Sequence, residues 1–330
     1  MRVFFCRKCG QQLSFENSIC LSCDSRLGFH LPGRSIQVLG DDLTVTVDGA
    51  VWGRCANIKR ARCNWLVDVS SGATLCASCA LTRTRPADSD TEAMAEFAAA
   101  ETAKRRVILE LDELHLPIVG RDDDPSGGLG FDLLSSANRH VITGHANGLI
   151  TLDLAESDDA YRVRVQEQLG EPYRTMLGPF RHEVGHYMQW RLVEDTDRIA
   201  ESRRLFGDET ADYQAEIDRH YSQGPPANWW ERYISTYATM HPYEDFAETW
   251  AHFLHMTDTV ETAHIYGLAR TGGIEDSPSF RAFVTDTWIP LSTALNMVNR
   301  SMGKADLYPF VIPDPVLDKL DFVASLRPGS

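Results

Sequence analysis

Alternation of hydrophobic and polar residues predicts several short strands in the first half of the chain. Residues 35–39 and 43–47 alternate as strands with one buried face do. Residues 149–154 alternate again, directly after Asn147-Gly148, a pair typical of a two-residue hairpin turn. We predict that the strand over 149–154 can form an edge along which an extended peptide pairs through backbone hydrogen bonds.

Helical signals dominate the remainder of the chain. Ser89 to Glu92 forms a capping box, which predicts a helix over residues 90–114. Gly178-Pro179 indicates a kink or late start in a predicted helix over 173–194. Pro242 is well placed at the start of another helix. Further helices are predicted over 158–169, 279–303 and 315–325.

Length and composition suit a globular protein with a sizeable core. The chain has 330 residues, of which 43% are hydrophobic and 24% are charged. No run of about 18 apolar residues predicts a membrane span, and the first six residues do not resemble a signal peptide. We therefore expect a cytoplasmic protein. The pattern predicts an α+β fold: a cysteine-rich module over 1–86, then a mostly helical domain over 87–330 with a small antiparallel sheet.

Charge is unevenly distributed along the chain. The net charge is −15, yet residues 1–86 hold 11 Lys and Arg against 6 Asp and Glu, a formal +5. Two zinc sites of four thiolates would each add about −2 to this module, leaving about +1. A nucleic-acid-binding surface would be strongly basic, so we do not expect nucleic acid as a partner.

The most informative motif is His182-Glu183-Val184-Gly185-His186. Residues four apart on a helix share one face, so both imidazoles can reach one metal ion. Zinc lowers the pKa of a bound water to about 7, and Glu183 is placed to act as its general base. This is the H-E-x-x-H pattern of metallopeptidases. The hydrophobic residues around it predict a buried helix, in which polar groups need a function.

A second segment, from His241 to His252, can complete the metal site. Glu244 and Glu248 are four apart and share one helix face. We predict that Glu244 is the third zinc ligand and that Glu248 accepts a hydrogen bond from a ligand histidine. An exchange of these two roles, or ligation by Asp245 or His252, stays open.

A tyrosine near the metal could stabilise the oxyanion of a tetrahedral intermediate. Tyr237, seven residues before Glu244, is the candidate donor. Three other side chains nearby compete for this role: His241, Tyr243 and Tyr266.

All eight cysteines lie in the first module. Two C-x-x-C pairs ten residues apart are typical of a zinc ribbon, and they consist of Cys6, Cys9, Cys20 and Cys23. A second structural zinc site is predicted from Cys55, Cys63, Cys76 and Cys79. Four thiolates leave no open coordination position, so neither site is expected to be catalytic. Disulfides are the alternative, which a reducing compartment disfavours.

These motifs together resemble a known family. The run from Glu171 to Tyr187, the run from Glu244 to His252 and the eight cysteines look like the bacterial zinc-ribbon-containing family of "putative zinc-binding metallopeptidases". The resemblance covers nearly the whole chain and implies a zincin-like peptidase, without naming a substrate.

A narrower resemblance is to the gluzincin metallopeptidases. Tyr237 followed at seven residues by Glu244-x-x-Ala-Glu248 is similar to the ligand segment of anthrax lethal factor. The resemblance implies that Glu244 binds zinc, Glu248 supports a histidine and Tyr237 faces the metal. Gluzincins more often have aspartate at the position of Glu248.

The sequence thus favours a zinc-dependent peptidase with one catalytic and two structural zinc ions, acting on a peptide or protein. The zinc-ribbon module would recognise a protein partner or cover the cleft. The alternative is a non-catalytic adaptor on a zincin-like scaffold, which would need the histidines but not Glu183. A protease of DNA-bound proteins is a third interpretation, which the acidic charge weakens.

Overall fold

The computed structural model describes residues 3–137, 141–157 and 175–329. The chain divides into two compact units, Met1–Glu113 with Pro117–Arg162, and Leu114–Leu116 with Val163–Ser330. The division near residue 86 into a zinc-ribbon module and a peptidase domain stays a prediction. The helix predicted over 158–169 lies outside the described residues.

The first unit holds short strands arranged in four sheets within the described residues. They are β1 Phe4–Phe5, β2 Gln12–Leu13, β3 Leu27–His30, β4 Ser35–Val38, β5 Thr44–Val47, β6 Ala50–Arg54, β7 Leu66–Asp68, β8 Thr82–Thr84, β9 Gly130–Leu134, β10 Gly144–Ala146 and β11 Leu149–Asp153. Two antiparallel pairs, β1-β2 and β3-β4, accompany an antiparallel sheet in the order β5-β6-β7.

The fourth sheet has the order β10-β11-β9-β8. Strands β10 and β11 form the predicted hairpin, with Asn147 and Gly148 at φ 48° and 79° in its turn. Strand β9 pairs in parallel with β11 on one side and with β8 on the other. The prediction that β11 is an edge is therefore wrong, because both its sides are already hydrogen-bonded to neighbours. Alternation reports which face of a strand is buried, not whether the strand has lateral neighbours.

Aromatic packing and one long helix form the core of this unit. Phe29 lies between Phe15 and Trp65, with ring centroids 4.9 Å and 5.3 Å away. Helix α1, Thr91–Glu113, matches its prediction, although Asp90 rather than Ser89 caps it by accepting a hydrogen bond from the Ala93 amide.

The second unit is helical throughout the described residues. Its helices are α2 Leu177–Gln189, α3 Ile199–Phe206, α4 Tyr213–Gln223, α5 Pro242–Ile265, α6 Phe280–Phe283, α7 Ile289–Ser301 and α8 Asp314–Ala324. Single π-helical turns continue α2 over Trp190–Glu194 and α6 over Val284–Trp288. Helix α2 has the late start predicted from Gly178-Pro179, because proline fits a first helical turn.

Helix α5 is the centre of this unit. Its Phe246, Trp250 and Phe253 side chains are fully buried. Helix α8 is attached to it by a buried ion pair of 2.6 Å between Lys319 and Asp245. The predicted α+β class is confirmed, with a cysteine-rich first part and a mostly helical remainder. Among the described helices, none combines the length and the apolar character needed to cross a membrane.

Candidate metal centre

Helices α2 and α5 pack against each other and bring the predicted metal-binding residues together. Helix α2 carries the adjacent residues His182 and Glu183, with His186 one turn after His182, and α5 carries Glu244 and Glu248. All of these except His182 and Glu248, which are partly exposed, are buried. The site therefore lies between two helices and is largely shielded from solvent.

One carboxylate oxygen faces both imidazoles. Oε2 of Glu244 lies 2.9 Å from Nε2 of His182 and 3.4 Å from Nε2 of His186. The two rings are nearly perpendicular, with centroids 4.8 Å apart. Two ligands of a tetrahedral zinc ion with bonds of about 2.0–2.1 Å lie about 3.3 Å apart. The observed separations fit one metal ion held by these three side chains.

Glu248 occupies the other side of His182. Its Oε1 accepts a hydrogen bond of 2.8 Å from Nδ1 of that ring, and its Oε2 accepts one of 2.7 Å from the Ser235 hydroxyl. A proton fixed on Nδ1 leaves Nε2 free to bind a metal. Sequence reasoning missed Ser235, which comes from a loop with no periodic signal.

Glu183 lies beside the two histidines. One ligand atom from each of these three residues falls within 4.8 Å of the others. The carboxylate is buried, and its Oε2 has no hydrogen-bond partner among the described residues. Burial raises the pKa of Glu183 above its ordinary value.

The electrostatics of the cluster call for a cation. Although burial lowers the pKa of His182, Glu244 and Glu248 raise it well above its ordinary value. Burial raises the pKa of Glu244, but the two imidazoles hold it well below its ordinary value. A buried carboxylate against two imidazoles is stable only with positive charge among them. A protonated imidazole or a bound zinc ion would each supply that charge, so the donor set fits zinc without requiring it.

The residues left open as alternative ligands point elsewhere. Asp245 pairs with Lys319, and Nδ1 of His252 lies 2.8 Å from the Tyr308 hydroxyl.

The competing aromatic donors differ in their distance from the histidines. The rings of Tyr237 and His182 form a T-shaped contact, with centroids 5.6 Å apart. Tyr243 stacks on His186 at 4.1 Å. His241 instead caps α5, where its Nδ1 accepts a hydrogen bond from the Tyr243 amide. Tyr266 is exposed at the far end of that helix.

A further tyrosine was not predicted from the sequence. The hydroxyl of Tyr213, at the start of α4, donates a hydrogen bond of 2.7 Å to Oε1 of Glu244. Tyr213 lies 31 positions before Glu244 in a polar helix, so no local pattern connects the two.

The eight cysteines form the two predicted clusters. In each cluster the four sulfur atoms lie within 4.8 Å of one another: Cys6, Cys9, Cys20 and Cys23, and then Cys55, Cys63, Cys76 and Cys79. None of the eight is in a disulfide. Sulfur separations of 3.6–3.7 Å match the roughly 3.8 Å expected for a tetrahedral site with zinc–sulfur bonds of about 2.3 Å.

Comparison with known proteins agrees with this geometry. A zinc-ribbon domain model matches residues 3–90, and a model described as "Putative zinc-binding metallo-peptidase" matches residues 93–326. Uncharacterised proteins of Mycobacterium bovis and Mycobacterium tuberculosis are each 53% identical over 328 residues, covering 98% of this chain and 94% of theirs. No solved structure matches significantly. The chain therefore belongs to the zinc-binding metallopeptidase family whose model matches residues 93–326, and it carries an N-terminal zinc-ribbon domain.

Proposed function

We propose that this protein is a zinc-dependent peptidase of the gluzincin type, in which His182, His186 and Glu244 hold the catalytic metal. The observation that carries this proposal is the convergence of both Nε2 atoms on one oxygen of Glu244. Beside them lies Oε2 of Glu183, which has no hydrogen-bond partner in the part of the chain that the structure describes. Nδ1 of His182 is occupied by Glu248, so its Nε2 is the nitrogen available for a metal.

When bound, zinc would act as a Lewis acid on the peptide carbonyl and lower the pKa of an attacking water. Glu183 is the general base that accepts the proton of this water and then returns it to the leaving amine. Its burial and raised pKa suit both directions of transfer. Tyr237 donates a hydrogen bond to the oxyanion of the transition state.

The two cysteine clusters are proposed to hold structural zinc, giving one catalytic and two structural ions per chain. Free thiols in such clusters require a reducing compartment, which favours a cytoplasmic peptidase acting on peptide or protein substrates. The zinc-ribbon module is proposed to bind a protein partner. Peptide hydrolysis at the histidine site does not need that partner.

The decisive experiment compares Glu183→Gln with the wild type at equal metal content. Because glutamine keeps the size of the side chain but cannot accept the proton, cleavage of an internally quenched peptide library should fall by about 10²–10⁴-fold. Zinc content should stay unchanged. Glu201→Gln, at an exposed position on α3, is the matched control and should cleave like the wild type.

Unchanged cleavage by Glu183→Gln would refute the mechanism. The adaptor alternative makes the opposite prediction from the start, because the wild type itself would then cleave no peptide. The buried carboxylate of Glu183, with its unpartnered Oε2, favours the enzyme, because a scaffold gains nothing from it.

A further inference from the structure

Tyr213 makes a contact with the proposed metal site that packing alone does not explain. The residue is 42% exposed, and helix α4 has no buried residue. Its hydroxyl nevertheless reaches inward and donates a hydrogen bond to Oε1 of Glu244. The two oxygens of the Glu244 carboxylate thus have different partners, since Oε1 accepts the hydrogen bond from Tyr213 and Oε2 faces the imidazoles.

His241 sets the position of Tyr213 relative to Glu244. Nδ1 of His241 accepts a hydrogen bond from the Tyr243 amide at the start of α5, and its Nε2 donates one of 3.1 Å to the Ala211 carbonyl just before α4. The imidazole therefore joins the beginnings of both helices. Its ring also meets that of Tyr213 edge-on, with centroids 5.1 Å apart.

A second attachment lies further along α4. The Arg219 guanidinium donates a hydrogen bond of 3.2 Å to the Thr239 carbonyl, and the Thr239 hydroxyl lies 3.3 Å from Nδ1 of His220. Helix α4 is thus held through polar contacts to the segment just before α5, instead of through a hydrophobic face. These contacts fix the position of α4 along α5, and this position places the Tyr213 hydroxyl at Glu244.

The hydroxyl is the donor in this contact. An ionised carboxylate only accepts hydrogen bonds, so the proton between the two oxygens belongs to Tyr213. A carboxylate oxygen that accepts such a hydrogen bond is less free to rotate.

We propose that Tyr213 is a positioning residue for the metal site, which holds Oε1 of Glu244 so that Oε2 alone is presented to the metal. This inference rests on the proposed role of Glu244 as a ligand. Outer hydrogen-bond partners of this kind orient metal ligands, and their loss typically costs 10–100-fold in metal affinity.

The test measures zinc affinity at the labile site by competition with a chromophoric chelator, without any substrate. Tyr213→Phe removes only the hydroxyl and should weaken zinc binding 10–100-fold. Tyr221→Phe, an exposed tyrosine on the same helix, is the matched control and should bind zinc like the wild type. Thermal unfolding of the protein stripped of labile zinc should be the same for both variants.

A double-mutant cycle then shows whether the effect passes through Glu244. In a Glu244→Ala background, Tyr213→Phe should cause no further loss of zinc affinity. An equal loss in both backgrounds, or wild-type affinity in Tyr213→Phe alone, would overturn the inference. Zinc binding is measured without substrate turnover. The result for Tyr213 can therefore be interpreted even if the proposed peptidase activity is not found.

Discussion

Gly185 on helix α2 lies directly against Ala247 on helix α5. A β carbon at position 185 would be 3.0 Å from the Ala247 α carbon and 3.2 Å from its carbonyl oxygen. Backbone atoms cannot move aside as a flexible side chain can, so the glycine lets the two helices approach. This approach brings Glu244 within reach of His182 and His186.

We therefore expect Gly185→Ala to push the helices apart and separate Glu244 from the imidazoles. Overpacking of this kind costs about 1–3 kcal/mol of stability, and zinc affinity at the histidine site should also fall. Gly178→Ala is the matched control on the same helix, because among the described residues its β carbon would meet only the Thr175 hydroxyl, at 3.8 Å. Thermal unfolding and chelator competition measure both effects, and equal behaviour of the two variants would contradict the explanation.

Glu248 should contribute to zinc affinity without touching the metal. Glu248→Ala leaves Nδ1 of His182 without its acceptor, so we expect zinc affinity to fall 10–100-fold. Glu248→Gln keeps a carbonyl acceptor and should lose less zinc affinity than Glu248→Ala. Isothermal titration of the zinc-stripped protein gives the comparison. A larger loss in the glutamine variant than in the alanine variant would show that this hydrogen bond is not the cause.

Metal analysis should find about three zinc ions per chain, of which mild chelation removes one. Cys76→Ser and Cys9→Ser, one from each cluster, should each lose one tightly bound ion and keep the labile one. His186→Ala should lose only the labile ion. Elemental analysis of the purified variants measures the number of zinc ions per chain. A cysteine variant that retained all three ions would show that its cluster does not bind zinc.

The sequence predicted the parts of the site that lie within one helix. His182 and His186 are four residues apart, and helical geometry alone puts them on one face. The same spacing identified Glu244 and Glu248 as a pair. Which of them faces the metal depends on where α5 lies along α2, and that is a tertiary relationship that spacing does not contain.

Groups from other segments could not be predicted in this way. Tyr213 and Ser235 reach the two glutamates from a polar helix and from a loop, neither of which has a hydrophobic pattern that fixes its position. The pairing of strand β11 with β9 was missed for a similar reason, because this parallel pairing joins two segments that no short turn connects. Cys55 and Cys63, by contrast, were correctly grouped despite their long spacing, since few other thiols were available to complete the second cluster.

His252 should make the stability of the protein depend on pH. Burial lowers the pKa of this imidazole from 6.5 to about 4, partly opposed by the charge of Glu248. The unfolded chain therefore binds a proton near pH 6.5 that the folded protein does not bind until about pH 4. Stability conferred by the neutral ring is fully present above pH 6.5 and is lost as the pH falls toward 4, by about 3 kcal/mol in total.

Replacement of His252 by glutamine separates this ring from the other groups that titrate in the same range. Glutamine cannot be protonated there, so the unfolding free energy of His252→Gln should fall less steeply between pH 6.5 and 4. His264→Gln, at an exposed position on the same helix, should keep the wild-type slope. Denaturant unfolding at several pH values measures these slopes. Identical slopes for His252→Gln and the wild type would show that His252 contributes nothing to the pH dependence of stability.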